Sequence, residues 1–237
     1  MIDIERLVDH HCHGIITDTL ERPRLEALMS ESHRPAIPGV TQFDKPLGQV
    51  IRRYCAPILD LEPLASADDY VRRRTELGGE EVASRLMKAT RVAGMLIDTG
   101  HRSDDILGVE AMGALSGGFA HEVVRIESTM EQVARTAGSG LELIDGFDVL
   151  VRERAAGAVA LKSIVAYRTT FAIDQTRPTR AEAIAAADAW LRRNEASGWR
   201  RLEDATLIRH ALFQALDICT ERKFPLQLHV GVGDLDV

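Results

Sequence analysis

Three histidines crowd into four positions near the start of the chain, in Asp9-His10-His11-Cys12-His13. Side chains of an extended strand alternate between its faces, so His11 and His13 share one face while His10 and Cys12 point the other way. Two imidazoles at i, i+2 can grip one zinc-like divalent ion, with Zn–N bonds of about 2.0–2.1 Å. Surface histidines in a polar turn would be the blander use of these residues, but three of them behind a leading Asp favour ligation. His10 is expected to pack or hydrogen-bond outside such a site, and Cys12 to face outward toward helices. A fourth residue, His229, ends the apolar run Pro225-Leu226-Gln227-Leu228 and precedes Gly231 and Gly233, which suit a loop folded close to a ligand. Alone it would read as a core histidine. Beside the first pair it gains as a candidate ligand, and His11, His13 and His229 are then expected to converge on one tetrahedral metal site.

Lys162 stands inside another apolar run, Ala158-Val159-Ala160-Leu161-Lys162-Ser163-Ile164-Val165-Ala166-Tyr167. A lysine there cannot stay charged without a partner. It could face Glu127, or it could lose its proton and become a carbamate that bridges metals, since burial readily lowers a lysine pKa. A lysine snorkelling at the end of the sheet is the structural alternative.

The elements that must position these groups are short apolar runs separated by long helical stretches. Strands are expected over residues 6–11, 92–98, 122–127, 158–167 and 226–230, most without strict alternation, as befits strands covered on both faces. Helices are expected over 104–115, over 130–155 as two pieces broken near Gly138-Ser139-Gly140, over 180–196 behind Thr179 as N-cap, and over 203–222. Such alternation implies parallel β-α units with right-handed crossovers. Residues 14–90 are too long for a simple crossover and read as a helical insertion after strand one, with helices over 46–58, 67–77 and 80–89. The chain is read as a single domain, 1–237, containing that insertion.

With 237 residues, 45% of them hydrophobic, the chain can bury a full core. A net charge of −7 argues against a nucleic-acid or membrane-surface partner, which would demand a basic face. Three scattered cysteines exclude a disulfide framework and a CxxC zinc site and fit a reducing compartment. No run of about 18 apolar residues or N-terminal signal appears, so a cytoplasmic protein is expected.

The motifs together resemble the amidohydrolase superfamily, and more narrowly the amidohydrolase-2 group that includes the domain fused to glutamine synthetase in some proteins. The likeness is carried by the HxH after strand one, Asp98-Thr99-Gly100, Val124-Arg125-Ile126-Glu127, Leu161-Lys162-Ser163-Ile164-Val165-Ala166-Tyr167-Arg168, and Gln227-Leu228-His229-Val230-Gly231-Val232-Gly233-Asp234. The resemblance implies an α/β fold of the (β/α)8 TIM-barrel type, represented by about the first five β-α units. It also implies a divalent metal, zinc by ligand character, held by His11, His13 and His229. The family's further His after strand six and Asp after strand eight have no counterpart, so the sequence reads as the N-terminal part of such a barrel, which typically needs about 250 residues.

The expected activity is metal-dependent hydrolysis of an amide or related C–N bond in a small polar substrate. Lys162 is the candidate catalytic residue, with Glu127, Tyr167 and Arg168 shaping the substrate pocket, Arg168 being suited to a carboxylate. The rivals are decarboxylation or isomerisation on the same metal barrel, or a non-catalytic partial barrel acting as a binding or assembly module. Unpaired strand edges favour a homo-oligomer.

Overall fold

The computed structural model describes residues 6–30, 32, 37–102 and 104–230. Among these, five strands form one sheet in chain order: β1 (Leu7–Cys12), β2 (Val92–Asp98), β3 (Phe119–Arg125), β4 (Ala160–Ser163) and β5 (Leu226–Leu228). The pairings of β3 with β4 and of β4 with β5 are parallel, with Arg125 opposite Lys162 and Lys162 opposite Gln227. Sequential strands joined by helices are the β-α pattern that the alternation predicts, and the α/β class with a five-stranded parallel sheet agrees with part of a TIM-type barrel. No helix among the described residues is long and apolar enough to cross a membrane.

The chain forms two compact units, whose boundary in sequence falls within β2 and within β3. The first takes the chain up to Met95 and Asp104–Ala120. It holds β1, the helices α1 (Arg22–Leu28), α2 (Pro46–Val50), α3 (Ala67–Leu77) and α4 (Gly79–Lys88), and α5 (Val109–Ser116). Its own small core gathers Phe43, Ala56, Leu59, Tyr70 and Val82, all from the region read as an insertion. Helix α5 starts later than residue 104, and ahead of it the Leu107 N–H donates to the Ile15 carbonyl at 3.0 Å. Strand β1 is not covered on both faces: Leu7 is 41% and Val8 52% exposed.

The second unit takes residues 96–102 and 121–230. Its helices are α6 (Ile126–Ala134), α7 (Gly140–Gly157), α8 (Arg180–Ser197) and α9 (Ala205–Arg222). Helix α7 begins after the break expected at Gly138-Ser139-Gly140, with the Ser139 hydroxyl accepting from Glu142 N–H. Thr179 and Glu182 close a reciprocal capping box at the start of α8. Val124 and Leu161 turn from the sheet toward these helices and are buried with Met130, Phe147, Trp190 and Leu207. Since neighbours along a strand alternate, Arg125 and Lys162 turn to the other face of the sheet.

β3 and β4 end earlier than the sequence predicts, and Glu127 is involved at both ends. Glu127 lies in the first turn of α6 rather than at the end of β3. Its carboxylate accepts from Ser163 Oγ at 2.5 Å and from Ile164 N–H at 3.0 Å. The backbone amide that would extend β4 is thereby taken out of the ladder, and a 3-10 turn, Val165–Tyr167, follows instead.

Candidate active site

The C-terminal ends of β2, β3 and β4 bring three charged residues together. Asp98 closes β2, Arg125 closes β3, and Lys162 sits one residue from the end of β4. Asp98 Oδ2 accepts from Arg125 Nε at 3.0 Å and Nη2 at 2.6 Å, and lies 3.0 Å from Lys162 Nζ. Its other oxygen accepts from Gly100 N–H at 2.8 Å. All three side chains are buried, Lys162 completely. Burial pushes the Asp98 carboxyl up, but the Arg125 and Lys162 charges outweigh it and hold the group below the ordinary carboxylate range. A Cβ on Gly100 would stand 2.6 Å from the Arg125 Cβ, so only glycine lets that turn close over the ion pair.

The buried lysine therefore has its charge partner, and the partner that the structure supplies is Asp98. In the sequence, Asp98 and Arg125 stand within motifs and carry no assigned role. The available signal was an acid closing one buried apolar strand and an arginine closing the next, the same inconsistency with burial that marked Lys162.

Around the end of β4 lies a second group. The Glu127 side chain is wholly buried; Oε1 takes both hydrogen bonds from Ser163 and Ile164, while Oε2 has no hydrogen-bond partner among the described residues. Burial, the dominant influence, raises the Glu127 carboxyl above its ordinary value against those hydrogen bonds. His229 follows β5; its N–H donates to the Ser163 carbonyl at 2.9 Å, and its ring centroid is 5.1 Å from that of Tyr167. Glu127, Tyr167 and His229 are thus assembled about Ser163. Arg168 Nη1 donates to Glu131 Oε1 at 2.9 Å and to the Leu202 carbonyl at 3.3 Å, and its buried Nε has no partner among the described residues.

His11 and His13 belong to the first unit, at and just past the end of β1. The His11 N–H donates to Asp9 Oδ1 at 3.1 Å, and Cys12 Sγ lies 3.9 Å from the Asp9 carbonyl. The chain beyond them runs close against residues 106–107, since a Cβ on Gly14 would fall 2.1 Å from the Leu107 carbonyl oxygen. Among the described residues, no three His, Cys, Asp or Glu side chains are gathered for an ion. Imidazole is a donor that suits a divalent ion, and within the second unit Glu127 adds a buried carboxyl oxygen with no hydrogen-bond partner among the described residues.

No family model matches the chain. Protein fluG of Emericella nidulans is 22% identical over 268 aligned residues, covering 100% of this chain and 30% of the relative. Among solved structures, the chain is similar to a Lactobacillus casei ATCC 334 protein classed, by assignment, as a metal-dependent hydrolase. That similarity has a TM-score of 0.72 and 26% identity over 98% of this chain and 60% of the other. The chain spans less than two thirds of either protein.

Proposed function

We propose that this chain is part of a metal-dependent hydrolase of the amidohydrolase type that cleaves an amide or related C–N bond in a small polar substrate. The observation that carries the reading is the structural likeness over 98% of the chain to a protein classed as a metal-dependent hydrolase. In this reading the HxH at the end of β1 and His229 after β5 would supply the metal ligands. In this reading the chain is one domain on a (β/α)8 plan, with residues 14–90 as its helical insertion and a reducing, cytoplasmic setting.

His11, His13 and His229 would hold the ion, zinc being the metal best matched to imidazole donors. A bound divalent ion lowers the pKa of its coordinated water to about 7 and polarises a carbonyl. The protein's own residues do the positioning. Tyr167 packs on the His229 ring and limits its rotation, while Glu127 anchors Ser163, whose carbonyl holds the His229 backbone. The buried Nε–H of Arg168 offers a donor to a substrate carboxylate. Lys162 acts through Asp98, fixing the ends of β2, β3 and β4; a carbamate in its place would set negative charge against that carboxylate.

The test is metal content by elemental analysis, together with product mass spectrometry after incubation with a panel of small amides and carboxylic acids. Stoichiometric zinc that falls in His11→Ala and in His229→Ala, with amide cleavage, is the expected result. Decarboxylated or isomerised products would move the reading to another reaction on the same sheet. No metal and no turnover would leave a binding module.

A further inference from the structure

An open cavity of about 540 Å³ lies between the last turns of α8 and the start of α9, on the helical layer of the second unit. Its volume is that of a small-molecule site. Trp190 forms one wall and is only 3% exposed, and its Nε1–H is buried with no hydrogen-bond partner among the described residues. Asn194, one turn further along the same face of α8, has a buried Nδ2 in the same condition. A buried donor without an acceptor is costly, and a ligand or water that accepts relieves the cost.

The charges around the cavity point to what accepts. Arg193, Arg200 and Arg201 line it with Glu203 and Asp204. Arg201 pairs with Glu203 at 2.7 Å and Arg193 with Asp204 at 3.6 Å. Asp204 is also engaged by α9, accepting from Thr206 N–H and Leu207 N–H. That leaves Arg200: its Nε donates to Ser197 Oγ at 3.2 Å, and no carboxylate among the described residues pairs with it. A buried indole donor without an acceptor, beside an arginine fork without a carboxylate, suits a planar or tetrahedral oxyanion.

We propose that this cavity binds a small oxyanion-bearing molecule, with Arg200 as its principal cation and Trp190 as its aromatic wall. The site stands apart from the proposed hydrolytic centre, sharing none of its histidines. It is nevertheless wired to it, because Arg201 Nη2 reaches the Tyr167 carbonyl at 3.5 Å and Leu202 N–H donates to Glu131, the partner of Arg168.

The experiment exploits composition: the chain has two tryptophans, and both are here, Trp190 and Trp199 with ring centroids 5.7 Å apart. Sodium phosphate and sodium succinate are titrated separately into the full chain at ionic strength held constant with sodium chloride, and tryptophan emission is recorded. A saturable change with either probe is expected, and the probe that saturates at lower concentration identifies phosphate or carboxylate chemistry. Arg200→Gln should weaken the apparent Kd at least tenfold, with the circular dichroism spectrum and urea midpoint unchanged. If that variant does not fold, Arg200→Lys keeps the charge but loses the fork and should weaken binding severalfold. A linear or absent response to both probes overturns the proposal, and so does an unchanged Kd in the folded variant.

Discussion

At the scale of single residues, the burial of charge makes the sharpest claims. Arg125 and Lys162 are buried against Asp98, so Asp98→Asn removes the carboxylate that both cations share in the interior. The expected loss is about 3–5 kcal/mol, read from urea unfolding, because an uncompensated buried charge cannot recover its hydration. The native Asp98 carboxyl is depressed, so the unfolded chain binds the extra proton as pH falls. Its stabilisation is complete above the ordinary carboxylate range and is lost as pH falls through the lowered native value. Acid unfolding should therefore be shallower in the variant. Glu127 has the opposite sign: its carboxyl is raised by burial, so its contribution is full below the unfolded value and is lost as pH rises through the native one. Glu127→Gln keeps an acceptor for Ser163 and Ile164, and should stabilise the protein at alkaline pH relative to the parent. A parent and variant with parallel stability profiles from pH 4 to 9 would refute the buried-carboxyl account.

At the scale of elements, α8 is the most instructive helix. Its capping box satisfies two orphan backbone donors, so Thr179→Ala should lower stability by about 1 kcal/mol while Thr179→Ser changes little, as measured by thermal unfolding. The helix also meets α7 at its first residue. A Cβ on Gly140 would lie 2.3 Å from the Ile184 carbonyl, and Gly140 N–H donates to Asp188 at 2.5 Å. Gly140→Ala must push the two helices apart, and the resulting loss should exceed that of the missing cap. A Gly140→Ala protein as stable as its parent would mean that this approach is not a native contact.

For the molecule as a whole, binding of metal and of other copies is where the proposed function becomes measurable. If His11, His13 and His229 hold zinc, added zinc stabilises the native chain by mass action, by about 2.7 kcal/mol at a hundred times Kd. The unfolding temperature should rise with zinc in the parent and stay level in the His11→Ala, His13→Ala double variant. Among the described residues, β1 and β5 each have one strand neighbour, and both carry exposed apolar side chains: Leu7 and Val8 on one, Leu228 on the other. Exposed apolar edges favour pairing with another copy. Sedimentation velocity should show a self-associating species, shifted toward monomer by Leu7→Lys with Val8→Lys.

Local chemistry was legible from the sequence because it depends on neighbours only a few positions away. Periodicity and turn residues located β2, the break before α7 at Ser139 and the Thr179 cap, each a matter of one turn of chain. Lys162 could be marked as anomalous from its apolar flanks alone. Its partner could not, since Asp98 is 64 residues away and meets it only because strand ends are brought into register by the sheet. The same holds for the end of β4. Propensity favours continuing Val165-Ala166-Tyr167 as strand, but the Glu127 carboxylate, supplied by another helix, takes the Ile164 amide and turns the chain. The cavity at Arg200 is a further case: nothing local in the sequence marks it, and only packing buries the Trp190 indole without an acceptor among the described residues. Residue type and spacing determined which groups were out of place in an apolar setting; only long-range packing decided which groups answer them.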